Sequence, residues 1–280
     1  MMKPCDSPEA EMPGRVGFSP ALSRRALLAG GCALGLAACA TAPPPAMVTR
    51  RRDFGLLQDD GSRVVLPPGH ETGGPWPTVV FLPATDGTAP DLYRYYAEAH
   101  ATRGGFVALL PPGSSSSADY ASGERFAATV DEWRDRVAAM VAAQSGRFGL
   151  DPERVGLAGF SLGGDLAWAL SLASPAAYCG AIVMGSRCGW RDGDGLSVLA
   201  FRGYRFALLR GADESDARAG GMEAARRLLD TTGIANLFDE MPGEHVRAPP
   251  PLFMQAADFV LGSGAVAGLT ADRWRGTGST

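Results

Sequence analysis

The stretch Arg154-Val155-Gly156-Leu157-Ala158-Gly159-Phe160-Ser161-Leu162-Gly163-Gly164-Asp165-Leu166-Ala167-Trp168-Ala169-Leu170-Ser171-Leu172 decides how the rest of the chain is read. Val155, Leu157 and Ala158 make a short apolar strand, and Leu166, Ala167, Leu170 and Ala173 make an apolar helix. Between them stands Gly159-Phe160-Ser161-Leu162-Gly163, a G-x-S-x-G turn. A serine on so sharp a turn sits in strained backbone, and its neighbours two residues to either side must be small to avoid collision. Gly159, Gly163 and Gly164 meet that need. The turn lifts the Ser161 hydroxyl above the sheet, at the start of a helix whose free N–H groups favour developing negative charge. Glycine and serine are common, so the motif alone says little; the strand before it and the helix after it give it meaning.

Outward from this turn, the chain alternates strands and helices. Phe54 to Leu57 and Arg63 to Leu66 flank Asp59-Asp60-Gly61, a hairpin signal. Thr78-Val79-Val80-Phe81-Leu82 is a continuous apolar run, as in a strand covered on both faces. Leu92 to Arg103 is helical in pattern and closed by Gly104-Gly105; Phe106 to Leu110 is a further strand, ended by Pro111-Pro112. After a Gly/Ser loop at 113–118 comes a long helix from Ser122 to Gln144. Beyond the central turn, Gly180 to Gly185, Phe206 to Leu209 and Ala235 to Met241 read as strands, and Glu223 to Asp230 and Leu252 to Leu261 as helices. This alternation predicts an α/β fold, a mostly parallel twisted sheet of about eight strands with helices on both faces. Ligands collect beyond the carboxyl ends of such strands.

Bulk properties narrow the classes. The 280 residues are 46% hydrophobic and 20% charged, with a net charge of −4 and no long basic run, which gives nucleic-acid binding no support. Five cysteines lack the paired spacing of a zinc site and there are three histidines, so neither a metal nor another cofactor is expected.

Residues 1–38 read as an export signal rather than as part of the fold. Ser23-Arg24-Arg25 precedes a modestly apolar, Gly/Ala-rich run ending Leu36-Ala37-Ala38-Cys39. The run is too short and too Gly-rich for a stable membrane span. The paired arginines resemble a twin-arginine signal, and Leu-Ala-Ala-Cys resembles a bacterial lipoprotein box, which implies lipidation of Cys39. Residues 39–52, with Pro43-Pro44-Pro45, then read as a stiff spacer between a lipid anchor and a domain at 53–262. Arg50-Arg51-Arg52 reads as a solvated linker end, with contact to anionic headgroups as the alternative. Residues 263–280 read as a loose tail. The expected location is periplasmic, at a bacterial membrane face.

A serine alcohol needs a base with a pKa near 7 within reach, which points to histidine. His70 lies in the Pro/Gly-rich connection and His100 within a helix, and both read as surface residues. His245, in Met241-Pro242-Gly243-Glu244-His245, follows the last strand. A carboxylate should hold the imidazole and follow the strand ending near Leu209. Arg210-Gly211-Ala212-Asp213-Glu214-Ser215-Asp216 offers Asp213 as the first choice, with Glu214 and Asp216 as competitors. Cys179 and Cys188 bracket an extended strand; on the order of 30 Å apart at about 3.3 Å per residue, they are expected to remain free thiols.

Gly-Phe-Ser-Leu-Gly-Gly with its long apolar helix, Gly-Phe-Val-Ala-Leu-Leu-Pro at 105–111, and the order Ser161, Asp213, His245 resemble an α/β hydrolase of the dienelactone-hydrolase-like group, over nearly the whole chain after the signal. The resemblance implies a serine hydrolase cleaving small to medium carboxylic esters through an acyl-enzyme. True dienelactone hydrolases use cysteine where this chain has Ser161. By the same match the oxyanion donors are the backbone N–H groups of Leu162 and Thr85, the latter in Pro83-Ala84-Thr85 where many members have His-Gly-x. The family spacing Gly-x-x-Asp puts the acid at position 214. The interval between Gly185 and Phe206 is where many lipases insert a lid; at about twenty residues it implies an open site, with Trp190 at its rim. A peptidase or other acyl hydrolase, or a non-catalytic binding lipoprotein on the same frame, remains as an alternative.

Overall fold

The computed structural model describes residues 55–262. The expected export signal, the spacer with Cys39, and the tail at 263–280 lie outside the described residues. The chain begins with the edge hairpin β1 (Leu56–Leu57) and β2 (Arg63–Val65), paired antiparallel across the Asp-Asp-Gly turn, where Asp60 Oδ1 accepts the Ser62 amide at 2.9 Å. Then follow β3 (Trp76–Leu82), α1 (Ala89–Arg94), α2 (Ala97–Arg103), β4 (Val107–Leu110) and α3 (Gly123–Phe148). The central unit is β5 (Leu150–Phe160) and α4 (Leu162–Ala173). Three more strands, β6 (Gly180–Met184), β7 (Arg205–Gly211) and β8 (Ala235–Met241), are interleaved with α5 (Gly193–Phe201), α6 (Asp216–Thr232) and α7 (Pro250–Leu261).

The eight strands form one sheet in the order β1-β2-β4-β3-β5-β6-β7-β8. Six of them, from β4 across to β8, run parallel, and β1 and β2 are the antiparallel edge. Side-chain alternation splits the core in two. Val80, Leu82, Leu109, Leu157, Val183 and Leu208 pack with Trp133 and Val137 of α3, Trp168 of α4 and Leu229 of α6. Val79, Phe81, Leu110, Ala158, Ile182 and Leu209 pack on the other face, with Tyr93, Tyr96 and Phe253 from α1, the α1–α2 junction and α7. The apolar runs read as doubly covered strands are therefore buried on both sides. β5 lies at the centre of the parallel set, so its carboxyl end, where Ser161 begins, is flanked by loops from both neighbours.

Four local readings need correction. The helix expected over Leu92–Arg103 is two helices, because the chain breaks at Tyr95-Tyr96 to bury Tyr96 face-to-face on Phe253, ring centroids 3.9 Å apart. The long helix runs one turn past Gln144, to Phe148, and ends on Gly149 at φ 59, a left-handed cap that favours glycine. Within the interval between Gly185 and Phe206, residues 193–201 form the helix α5, where Gly195 packs so closely on α4 that a Cβ there would stand 2.2 Å from the Leu172 carbonyl oxygen. His100 is buried, not superficial: Tyr93 Oη donates to its Nδ1 at 2.8 Å, and its Nε2 donates to the Phe106 carbonyl at 2.8 Å. His70 is half-buried, with Nε2 2.9 Å from the Phe148 carbonyl and its ring on Trp76. Cys179 and Cys188 are free thiols on either side of β6. No helix among the described residues is long and apolar enough to cross a membrane.

Candidate active site

Ser161 links β5 to α4 at φ 58, ψ −121, a conformation that L side chains rarely adopt. The surrounding contacts over-determine it. Its amide donates to the Met184 carbonyl at the end of β6 (2.9 Å), and its own carbonyl accepts from Asp165 (3.0 Å). The glycines are small because backbone stands where a Cβ would be: 1.9 Å from the Gly163 oxygen for Gly159, 2.7 Å from the Leu82 and Pro83 oxygens for Gly163, and 2.6 Å from the Met184 oxygen for Gly164. Gly163 thereby brings the loop after β3 against the serine. In that loop Thr85 Oγ1 lies 3.5 Å from Ser161 Oγ. Leu162 occupies the first helical position of α4, where a backbone N–H has no intrahelical partner.

His245 reaches the same rim from the loop after β8. Its ring stacks on Phe160, centroids 4.5 Å apart, one residue before the serine. Gly185 lies under it: a Cβ there would meet His245 Cε1 at 2.9 Å and Nδ1 at 3.0 Å. Both carboxylate oxygens of Glu214 stand 3.1 Å from Nδ1. The Glu214 side chain is 1% exposed, with the Arg218 guanidinium 3.8 Å away. A carboxylate offers only acceptor oxygens, so the Nδ1 that faces it carries the proton and Nε2 is left as the acceptor nitrogen. Among the described residues the imidazole makes no hydrogen bond with the Ser161 hydroxyl.

The carboxylate that meets His245 is therefore Glu214, the competitor to which the family spacing pointed, and not Asp213, the first choice. Asp213 is exposed, and its amide donates to the Gly243 carbonyl at 3.0 Å, a bond that continues past the end of the parallel β7·β8 pairing, while Glu214 next to it is buried. Asp216 starts α6 and is exposed.

Asp165, which sequence reasoning passed over, is buried one turn after Ser161. Its Oδ1 accepts from Ser186 Oγ (2.6 Å), Arg187 N (2.8 Å) and Cys188 N (3.2 Å), and its Oδ2 accepts from Tyr120 Oη. It ties the loop after β6 and the entry to α3 onto the serine's helix. A lone carboxylate inside an apolar helix, four residues after the serine, was the available signal. Trp190 is half-buried; its carbonyl accepts from Trp168 Nε1 (3.0 Å), and its ring meets Phe126 edge-on at 6.2 Å. With Tyr120, Asp165, Arg187 and Arg191 these rings line a cleft of about 430 Å³, which Asp165 places one helical turn along α4 from Ser161. Among the described residues no group of three His, Cys, Asp or Glu could hold a metal ion.

No protein-family model matches the chain, and no curated protein matches it. Solved structures do. Esterase PE8 superposes with a TM-score of 0.54 at 17% identity, covering 70% of this chain and 95% of its own. The Bacillus cereus carboxylesterase gives 0.53 at 13%, covering 71% and 92%.

The fold is that of the α/β hydrolases.

A fluorophosphonate-binding serine hydrolase of Staphylococcus aureus is similar at a TM-score of 0.51 and 14% identity, covering 74% of this chain and 96% of its own. Within an α/β-hydrolase fold the turn after β5, the loop after β7 and the loop after β8 share one rim of the sheet. Ser161, Glu214 and His245 occupy those three places here.

Proposed function

We propose that the protein is a serine hydrolase of the dienelactone-hydrolase-like kind that cleaves small to medium carboxylic esters. The observation that carries this reading is the strained Ser161 next to Phe160, on which stacks an imidazole whose Nδ1 meets a buried carboxylate. In the reaction, Ser161 Oγ attacks the ester carbonyl carbon while its proton passes to His245 Nε2. The carbonyl electron pair becomes an oxyanion held by the Leu162 and Thr85 amides. Collapse breaks the ester C–O bond, and His245 gives the proton to the departing alcohol. Water, deprotonated by His245, then attacks the acyl-enzyme, and Ser161 leaves with that proton as the acid is released. Glu214 keeps the imidazole in the right tautomer and stabilises its cation.

Small substrates are supported by where α5 sits. It docks at Leu172, roughly 16 Å along α4 from Ser161 at 1.5 Å per residue, so it does not roof the serine. The signal-like segment before Cys39 supports export and a lipid tether at a bacterial membrane, facing the periplasm.

Labelling of the full chain with a fluorophosphonate probe, against a Ser161→Ala control, tests the chemistry; an intact protein that fails to label at Ser161 overturns it. A panel of p-nitrophenyl esters of increasing acyl length tests the substrate size, and highest efficiency on long chains contradicts it. Incorporation of labelled fatty acid, lost in Cys39→Ser, tests the tether.

A further inference from the structure

The cleft at Asp165, one turn along α4 from Ser161, is lined by none of the bond-breaking residues, and its lining is chemically particular. Three aromatic side chains, Tyr120, Phe126 and Trp190, form its walls. Tyr120 and Phe126 lie almost parallel, 18° between planes, and Trp190 closes on Phe126 at 65°. Its volume, about 430 Å³, is within the range of small-molecule sites. Backbone hydrogen bonds run from Ser161 to both sides of it: its amide donates to Met184, which leads into the loop 186–191, and its carbonyl accepts from the amide of Asp165 in the cleft. Asp165 follows Ser161 by one helical turn, about 6 Å of rise.

The charge in the cleft is unbalanced. Its one carboxylate, Asp165, is buried and receives the four hydrogen bonds described above, so its lone pairs are engaged. Burial first, and the neighbouring Asp165 charge second, push the Tyr120 phenol up, so that wall is a neutral ring at physiological pH. Two arginines remain. Arg191 is tied by Nη1 to the Cys188 and Trp190 carbonyls, which fixes it at the rim with donors to spare. Arg187 is exposed, forms no ion pair with a carboxylate among the described residues, and rests its guanidinium 4.5 Å over the Tyr120 ring. A guanidinium stacked on an aromatic wall keeps its planar fork of donors free for a carboxylate or phosphate.

We propose that this cleft receives a flat aromatic part of the ester substrate that bears an anionic group, with Arg187 as the residue that selects it. The proposal deepens the hydrolase reading and rests on it for turnover, but not for binding. The aromatic walls supply ring-on-ring contact. Arg187 pairs with the anion, and Arg191 adds a second positive charge at the same rim.

Binding is read in full-chain Ser161→Ala protein, by calorimetry with 4-methylbenzoate, its neutral amide 4-methylbenzamide, and hexanoate. The expected order is 4-methylbenzoate tightest, with roughly a tenfold loss for that ligand alone in Ser161→Ala/Arg187→Gln and partial recovery in Ser161→Ala/Arg187→Lys. Turnover is read on the monomethyl ester of benzene-1,4-dicarboxylic acid and on methyl 4-methylbenzoate; Arg187→Gln lowers kcat/KM about tenfold for the first and less than about twofold for the second. Equal binding of acid and amide, hexanoate binding as well as the aromatic acid, or an Arg187→Gln effect common to both esters overturns the proposal. Fluorophosphonate labelling of Arg187→Gln separates the two readings. Labelling with no aromatic-anion preference sinks the cleft alone, whereas binding without labelling of the parent sinks the hydrolase reading alone.

Discussion

Both oxygens of the Glu214 carboxylate stand 3.1 Å from Nδ1 of His245, across 31 residues of sequence, while Asp213 next to it faces solvent. The pairing makes the two neighbouring acids separable by experiment. Glu214→Gln keeps the shape but lets the amide favour the wrong imidazole tautomer, and kcat on a p-nitrophenyl ester falls by roughly 10²–10⁴-fold. Asp213→Asn stays within about twofold of the parent, as an exposed side chain outside the hydrogen-bonded pair should. Equal losses in the two variants would remove Glu214 from its role.

Gly185 gives the imidazole its seat. At φ 52 it holds a conformation that costs an L side chain about 1 kcal/mol, and a methyl there would collide with the His245 ring. Gly185→Ala is therefore expected to fold, with a lower melting temperature, and to lose at least about tenfold in kcat as the ring is displaced. Circular dichroism and esterase kinetics on the same preparation read both effects.

Asp165 joins three segments by hydrogen bonds to a buried charge. Asp165→Ala leaves the Ser186, Tyr120, Arg187 and Cys188 donors without their acceptor, and a loss of about 2–4 kcal/mol follows. Urea unfolding measures it. A cost under about 0.5 kcal/mol would mean that water replaces the carboxylate.

His100 makes stability depend on mild acid. Burial holds its pKa below the usual histidine value, against a smaller upward pull from the Phe106 carbonyl. As pH falls through about 6.5, the unfolded chain takes up a proton that the folded chain refuses. Stability therefore drops from there down to the lowered folded pKa, by at most about 1.4 kcal/mol per pH unit. Asp91, held down chiefly by the Thr88 hydroxyl, and Glu223, held down chiefly by Arg226, act only below the ordinary carboxylate range. Urea midpoints at pH 7.5 and pH 5.5 should differ in the parent and converge in His100→Phe, which has no proton to gain.

The sheet was legible because its central parallel strands, such as residues 78–82 and Gly180–Met184, are continuous apolar runs, and burial on both faces demands that pattern. The serine turn was legible because the sharp turn itself forces small neighbours, as Gly159 against Gly163 shows, although Gly163 and Gly164 also make room for Leu82, Pro83 and Met184 from other strands. His100 was misread because a helix position shows its burial only when the partner face is known, and that face is Tyr93 and Phe106. Asp165 was missed for a similar reason: its four donors come from loops distant in the chain.

Sequence by itself determined the strand-helix alternation, the strained turn at Ser161 and the loop that carries His245, all set by short-range sterics and hydrophobic patterning. Which of two adjacent acids meets the imidazole was decided only in three dimensions. The turn after β7 wraps on Gly211, where a Cβ would stand 1.8 Å from the Glu244 carbonyl oxygen, and the Asp213 amide is clasped to Gly243. That packing between the ends of β7 and β8 leaves Asp213 in solvent and buries Glu214; within the segment 210–216 only the family spacing from Gly211 pointed to position 214.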